Sequence, residues 1–324
     1  MILAENTLRG KANASSRRFR HRNTNMSTAA IELEKAPQPE RESLREWFDR
    51  AKQNESFLPG VILLAAIIFA FFPLLSKLPD IWFADDGYYS HGVLVPFISA
   101  FMVYKWWPTF TKTQPKPFYP AVIVVVAATY LFWVSYRADV QQFMSASFVI
   151  ALLAGAWLVF GFRWALLMTL PILYLIFMLP VWTGAIDNYT NTLQQWSTEA
   201  SFGMLKIMGL EPLRDSSTII MLDHFTLDVG VPCSGFKLVL AVTAFNLFFM
   251  AIARLGFWGN LIMIGATLPL CLFINGLRIA LIGVVGNQWG NAAGHQFHDY
   301  SGYITLLVCF FILFKLARLL GWKD

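Results

Sequence analysis

Three short stretches hold the residue types that acyl transfer needs. Val231-Pro232-Cys233-Ser234-Gly235-Phe236-Lys237 sets a thiol between the most polar internal segment and a long apolar run, Leu238 to Ala253. Asn275-Gly276-Leu277-Arg278 closes a second apolar run, and His295-Gln296-Phe297-His298-Asp299-Tyr300-Ser301-Gly302 opens a third. A thiolate at Cys233 would attack a peptide carbonyl, and an imidazole at His298 would take the thiol proton or return it to the leaving amine. A guanidinium at Arg278 would stabilise the oxyanion or the thiolate. A helix beginning just after Cys233 presents its first unpaired N–H groups toward the sulfur, which favours the thiolate. Lys237 falls one turn further on, on the same face, and would add to that field. Ser234 flanks the nucleophile, and Asn275 shares a helix face with Arg278. His295, three residues before His298, is the fallback base. Asp299 follows His298 directly; helix neighbours do not normally face each other, so it is not assigned as a triad carboxylate.

Each of these residues has a plainer account when taken singly. Cys233 is a small residue at a helix start, Arg278 an interfacial anchor, and His298 a ring among lipid headgroups. What favours chemistry is convergence, because ionisable groups in or beside membrane spans are costly and these three reach one depth on one side. Tyr89-Ser90-His91-Gly92, after Asp85 and Asp86, brings a second imidazole to a similar depth. His91 suits a structural or substrate-positioning role. The three cysteines, Cys233, Cys271 and Cys309, are far apart and form no Cys-x-x-Cys. Neither a zinc site nor a disulfide framework is expected, and no metal or cofactor is required. Cys271 and Cys309 lie inside apolar runs, which leaves Cys233 as the one thiol expected to meet water.

The elements that position these residues are membrane helices. The chain is 324 residues long, 56% hydrophobic and only 14% charged, where soluble domains carry about 25% charged residues. An all-α integral membrane protein is expected, and the spacing of apolar runs predicts about eight spans. They are Leu58 to Leu75, Gly92 to Trp107, Phe118 to Val134, Phe143 to Phe160, Trp164 to Val181, Ser234 to Ala253, Phe257 to Asn275 and Tyr300 to Leu316. The apolar run from Phe257 to Val285 is too long for one straight crossing, so a break is expected near Asn275-Gly276.

Lys and Arg set the orientation. With both termini in the cytoplasm, the N-terminal tail, Lys105, Lys112, Lys116, Arg163, Arg254, Lys315, Arg318 and Lys323 fall inside. The outer side keeps fewer: Lys77, Arg137, Lys206, Arg214, Lys237 and Arg278. The net charge of +5 is thus distributed by topology and not gathered into a nucleic-acid surface. Residues 1–57 read as a basic, mostly disordered cytoplasmic tail and 58–324 as the membrane domain. Within the tail, Glu42 to Gln53 has the pattern of a short amphipathic helix. Trp182 to Gly230, the longest internal polar segment, is placed outside. In it, Asn188 to Gly209 has helical spacing (Leu193, Trp196, Ala200, Met204), and Thr218 to Val229 alternates like a small strand pair that leads to Pro232 and Cys233.

The order Cys-Ser-Gly (Cys233 to Gly235), Asn-x-x-Arg (Asn275 to Arg278) and His-Asp-x-x-Gly (His298 to Gly302), each at the outer edge of a span, resembles the exosortase/archaeosortase family of membrane transpeptidases. Tyr89-Ser90-His91-Gly92 resembles that family's early Tyr-Ser-His-Gly element, and Ile172 to Pro180 its Pro-ended fifth helix. The similarity runs over roughly Pro59 to Leu320. It implies a cysteine transpeptidase or protease facing the exterior, with Cys233, Arg278 and His298 as catalytic residues. It also implies substrates that are secreted proteins with a C-terminal sorting signal: a short motif, a membrane span and a basic tail. In Gram-negative bacteria that motif is commonly Pro-Glu-Pro (PEP-CTERM), often beside exopolysaccharide loci, and the enzyme would sit in the cytoplasmic membrane. Two other classes stay open: a transporter using Arg278, His91 and His298 along a polar pathway, and a non-catalytic envelope or exopolysaccharide assembly factor. The inner halves of the spans hold few ionisable groups, which disfavours the pathway.

Overall fold

The computed structural model describes residues 55–84 and 87–322. The N-terminal tail with its Glu42–Gln53 segment, and Asp85 and Asp86, lie outside the described residues. Numbering from the first described helix, α1 is Phe57–Ala70, α2 Phe72–Leu75 and α3 Leu78–Trp82. A 3-10 turn at Ser90–Val93 leads into α4, Val95–Lys112. Then come α5 Val122–Arg137, α6 Gln141–Phe160, α7 Phe162–Tyr174 with a 3-10 extension Leu175–Met178, and α8 Thr183–Ile207. Three short strands follow, β1 Leu213–Arg214, β2 Ile219–Met221 and β3 Thr226–Asp228. The chain closes with a 3-10 turn Val231–Cys233, α9 Phe236–Ala253, α10 Phe257–Trp289 and α11 Asn291–Leu319.

The fold is that of an all-α integral membrane protein. Large apolar side chains point outward along whole helices, as at Ile123, Val126 and Tyr130 of α5 and at Tyr303, Leu307 and Phe311 of α11, all more than half exposed. Small polar residues turn inward instead: Ser145, Ser147, Ser197, Thr198 and Ser201 are fully buried. This inversion suits helices whose outer solvent is apolar and whose contacts depend on close approach.

Length and composition alone single out fewer than the eight expected spans. Five helices among the described residues, covering Tyr119–Arg137, Gln141–Phe160, Val231–Ala253, Phe257–Trp289 and Asn291–Leu319, are long and apolar enough to cross a membrane. Up to seven result if two bent pairs each count as one. Leu58 to Leu75 is not one straight helix, because the chain bends by 63° between Phe57–Ala70 and Phe72–Trp82, where Pro73 and Pro79 start the short helices α2 and α3. α7 and its extension likewise meet α8 at 61°. α4, over the expected second span, carries Lys105, Lys112 and Pro108 and is not among the five.

Two buried clusters hold the helices together. Phe71 meets Phe132 and Phe148 in tilted contacts at 4.5 and 5.4 Å between centroids, joining α1–α2, α5 and α6. Val242, Met263, Cys271, Ile274, Cys309 and Leu313 join α9, α10 and α11. There the Asn246 amide donates to the Met263 carbonyl (2.8 Å) and to Thr267 Oγ1 (2.7 Å).

The expected break at Asn275-Gly276 does not occur. α10 is one helix of 33 residues, roughly 50 Å at 1.5 Å per residue. That exceeds the ~30 Å apolar thickness of a bilayer, and its last turns run beyond the core it shares with α9 and α11. They pack on a cap formed by the antiparallel sheet β1-β2-β3 and α8, with Leu205, Ile220, Leu227 and Val229 buried against Ile279 and Ile282. The expected strand pair is present, with β1 as a third strand. Gly276 serves contact and not a kink: a Cβ there would lie 2.7 Å from the Ala200 Cβ of α8. The buried face of α8 runs through Thr190, Leu193, Ser197, Ser201 and Leu205, while Trp196 of the expected apolar face is 51% exposed. Gly276→Val should therefore lower the thermal unfolding midpoint in detergent, at the roughly 1–3 kcal/mol of an overpacked contact; an unchanged midpoint would contradict the tight α8–α10 approach.

Candidate active site

Cys233 lies in the 3-10 turn that precedes α9, not in the helix itself. Gly235 separates them with φ +85°, and a Cβ at this position would fall 2.8 Å from Asn275 Nδ2. Both the left-handed backbone and the close approach exclude a side chain here. The Asn275 amide reaches across the gap: Nδ2 donates to the Cys233 carbonyl at 2.9 Å and to Ser197 Oγ at 3.0 Å. Ser197 in turn donates to the Ser234 carbonyl at 3.1 Å. Gln194, one turn earlier on α8, donates to the Val229 carbonyl. The segment Val229–Ser234 is thus fastened by side chains of α8 and α10 acting on its backbone. Ser234 has a local role, its Oγ accepting from the Phe236 N–H at 3.3 Å. That N–H belongs to the first turn of α9, so one of the donors expected to face the sulfur is already paired.

The three candidate catalytic side chains come together at one end of the bundle. Cys233 Sγ lies 2.8 Å from His298 Nε2. Arg278 donates from Nε to Ser301 Oγ at 3.0 Å and from Nη2 to the His298 carbonyl at 3.1 Å. Ser301 Oγ also donates to that carbonyl, at 3.2 Å. These bonds join α10 to α11 and hold the guanidinium in one orientation, within electrostatic reach of Cys233 and Asp299. Cys233 is more enclosed than a wet thiol, at 9% exposure, because it packs with Leu227, Val229 and Ile279 of the cap. The imidazole is the wetter partner, with 33% of its side chain exposed. His295 is exposed one turn before His298, and it is His298 that meets the sulfur.

Asp299 departs from the expectation: its Oδ1 lies 3.2 Å from His298 Nδ1 although the residues are consecutive. Sequence reasoning also passed over Ser197, Gln194 and Ser301, whose only signal is a small or polar residue on a helix face. Cys271 and Cys309 are buried in the helical core, away from this site. No group of His, Cys, Asp and Glu able to hold a metal occurs among the described residues.

His91 is placed beside this machinery. Its turn packs through Tyr89 against Phe236 and Leu240 of α9 and against Ile186 and Leu193 of α8. The Trp182 N–H donates to Tyr89 Oη at 3.2 Å. Tyr88 meets Phe236 edge-on at 5.9 Å. His91 is 8% exposed, and neither ring nitrogen has a hydrogen-bond partner of standard geometry. Burial pushes its pKa down to about 4, the Lys237 charge adds to this, and the Phe177 backbone offsets part of it. Lys237 thus carries its charge beside His91, one turn beyond Cys233.

Residues 82–315 match the transmembrane exosortase family (Exosortase_EpsH). The chain belongs to this family, and membership supports a membrane transpeptidase or protease role in general. No curated protein and no solved structure matches the chain.

Two outcomes follow from the geometry. Asn275→Ala should remove the Nδ2 bond to the Cys233 carbonyl and cost about 1–3 kcal/mol of stability, and Asn275→Asp should cost more by setting a second acceptor against that carbonyl. Unfolding in detergent measures both, and equal stability of all three proteins would contradict the clamp. His91 is neutral when folded and binds a proton more readily when unfolded. Stability should therefore fall as pH drops from 6.5 toward about 4, and His91→Phe should flatten that dependence. An identical pH dependence in the variant would contradict a buried, neutral His91.

Proposed function

We propose that the protein is a cysteine transpeptidase or protease that cleaves the C-terminal sorting signal of secreted proteins at the outer face of the cytoplasmic membrane. The observation that carries this reading is the 2.8 Å contact between Cys233 Sγ and His298 Nε2, within electrostatic reach of Arg278. Cys233 transfers its proton to His298 Nε2 and attacks the scissile carbonyl. The Arg278 guanidinium stabilises the oxyanion of the tetrahedral intermediate. His298 then passes the proton to the leaving amine as the C–N bond breaks, which releases the C-terminal span and tail and leaves a thioester on Cys233. Attack on that thioester by water gives hydrolysis, and attack by an amine gives transpeptidation.

Membrane binding does much of the positioning. A substrate span lying in the bilayer beside α10 and α11 delivers its preceding motif to the end of the bundle where the thiol sits, so that few substrate side chains need to be read. Under the orientation set by Lys and Arg, that end faces the exterior and both termini face the cytoplasm.

The test is processing of co-expressed sorting-signal proteins, followed by immunoblot, in wild type and in Cys233→Ala, Arg278→Ala and His298→Ala proteins that insert normally. Cys233→Ala should abolish cleavage, and His298→Ala should slow it by about 10²–10⁴-fold. Cleavage that persists without the thiol would overturn the reading and return the chain to the scaffold or transporter classes.

A further inference from the structure

We propose that Asp299 is a positioning residue that fixes the tautomer and the aim of His298; this rests on the cysteine-peptidase reading above. A neutral imidazole has one N–H and one lone pair, and only the lone pair can take the thiol proton. A carboxylate accepts and does not donate. The contact from Asp299 Oδ1 to His298 Nδ1 at 3.2 Å therefore places the ring proton on Nδ1. The lone pair is left on Nε2, the atom 2.8 Å from Cys233 Sγ. The ring is held at both nitrogens, Nδ1 by the carboxylate and Nε2 by the sulfur.

The charges favour the same arrangement. The groups facing His298 are Cys233 from the turn before α9, Arg278 from α10, and Asp299 beside it on α11, with His295 one turn earlier. Arg278 is within electrostatic reach of both Cys233 and Asp299. When the proton moves from sulfur to nitrogen, thiolate, imidazolium, carboxylate and guanidinium alternate in sign. No net charge is created, and each new charge forms beside an opposite one.

The Asp299 side chain is 74% exposed, so its contact with His298 adds little to stability. Its role is orientation. The effect should be smaller than for an enclosed triad carboxylate, roughly 10–100-fold in rate. Asp299→Asn is the informative change: an amide can donate to Nδ1, which moves the ring proton to Nε2 and removes the base from the sulfur.

The experiment uses the full chain in detergent with three readouts: kcat and KM for a sorting-signal peptide, 15N shifts of the His298 ring, and the iodoacetamide alkylation rate of Cys233 followed by peptide mass spectrometry. Expected for Asp299→Asn are a kcat lower by about 10–100-fold with KM within about twofold, an Nε2 shift of the protonated kind, and slowed alkylation. Asp299→Glu should restore most of the rate. Unchanged kcat, ring shifts and alkylation in Asp299→Asn would overturn the proposal. So would equal losses in the Asn and Glu variants accompanied by lower stability, because that marks a structural role. If the wild type processes nothing, or Cys233→Ala still processes, the peptidase reading fails. The ring shifts and alkylation then decide the role of Asp299 separately.

Discussion

The site depends on how closely the Cys233 turn approaches α10. A single amide, Asn275 Nδ2, holds the Cys233 carbonyl and Ser197 at once, and it reaches them because Gly235 offers no side chain where the two meet. In an apolar surrounding, a backbone carbonyl without a partner is expensive, so this bond both fixes the turn and removes a cost. The same approach requires α8 to lie against α10, which Gly276 and Ala200 permit. The position of Cys233, helix packing and polar satisfaction thus rest on one small contact.

A second set of bonds fixes the other half of the site. Arg278 and Ser301 both end on the His298 carbonyl, so the guanidinium orients the backbone that carries the base while its charge stays near the thiol. Arg278 and His298 are thereby tied together across α10 and α11. The Cys233 turn is fastened separately by α8 and α10. α10 belongs to both halves, and its length makes this possible: as one unbroken helix it reaches from the helical core to the cap.

Much of the site was legible because membrane physics makes ionisable residues conspicuous. Cys233, Arg278 and His298 stood out against apolar runs, and the structure brings them together. Ser197, Gln194 and Ser301 were not legible, since a serine on a helix face looks the same whether it closes a network or merely permits packing. By local rules Asn275-Gly276 is a helix breaker, whereas each residue answers a long-range contact that those rules cannot register. Apolar runs do not reveal bends such as the one before Phe72. The spacing rule that excludes Asp299 describes average helix faces; at 3.2 Å from His298, Asp299 is a local exception.

The most direct measurement is mass spectrometry of the covalent intermediate. The purified protein would be mixed with a sorting-signal peptide, quenched rapidly in acid and digested. The expected result is a thioester on the peptide containing Cys233, bearing the N-terminal product of the substrate, formed and lost at rates that account for turnover. Turnover that proceeds with no adduct on Cys233 at any time point would contradict the account.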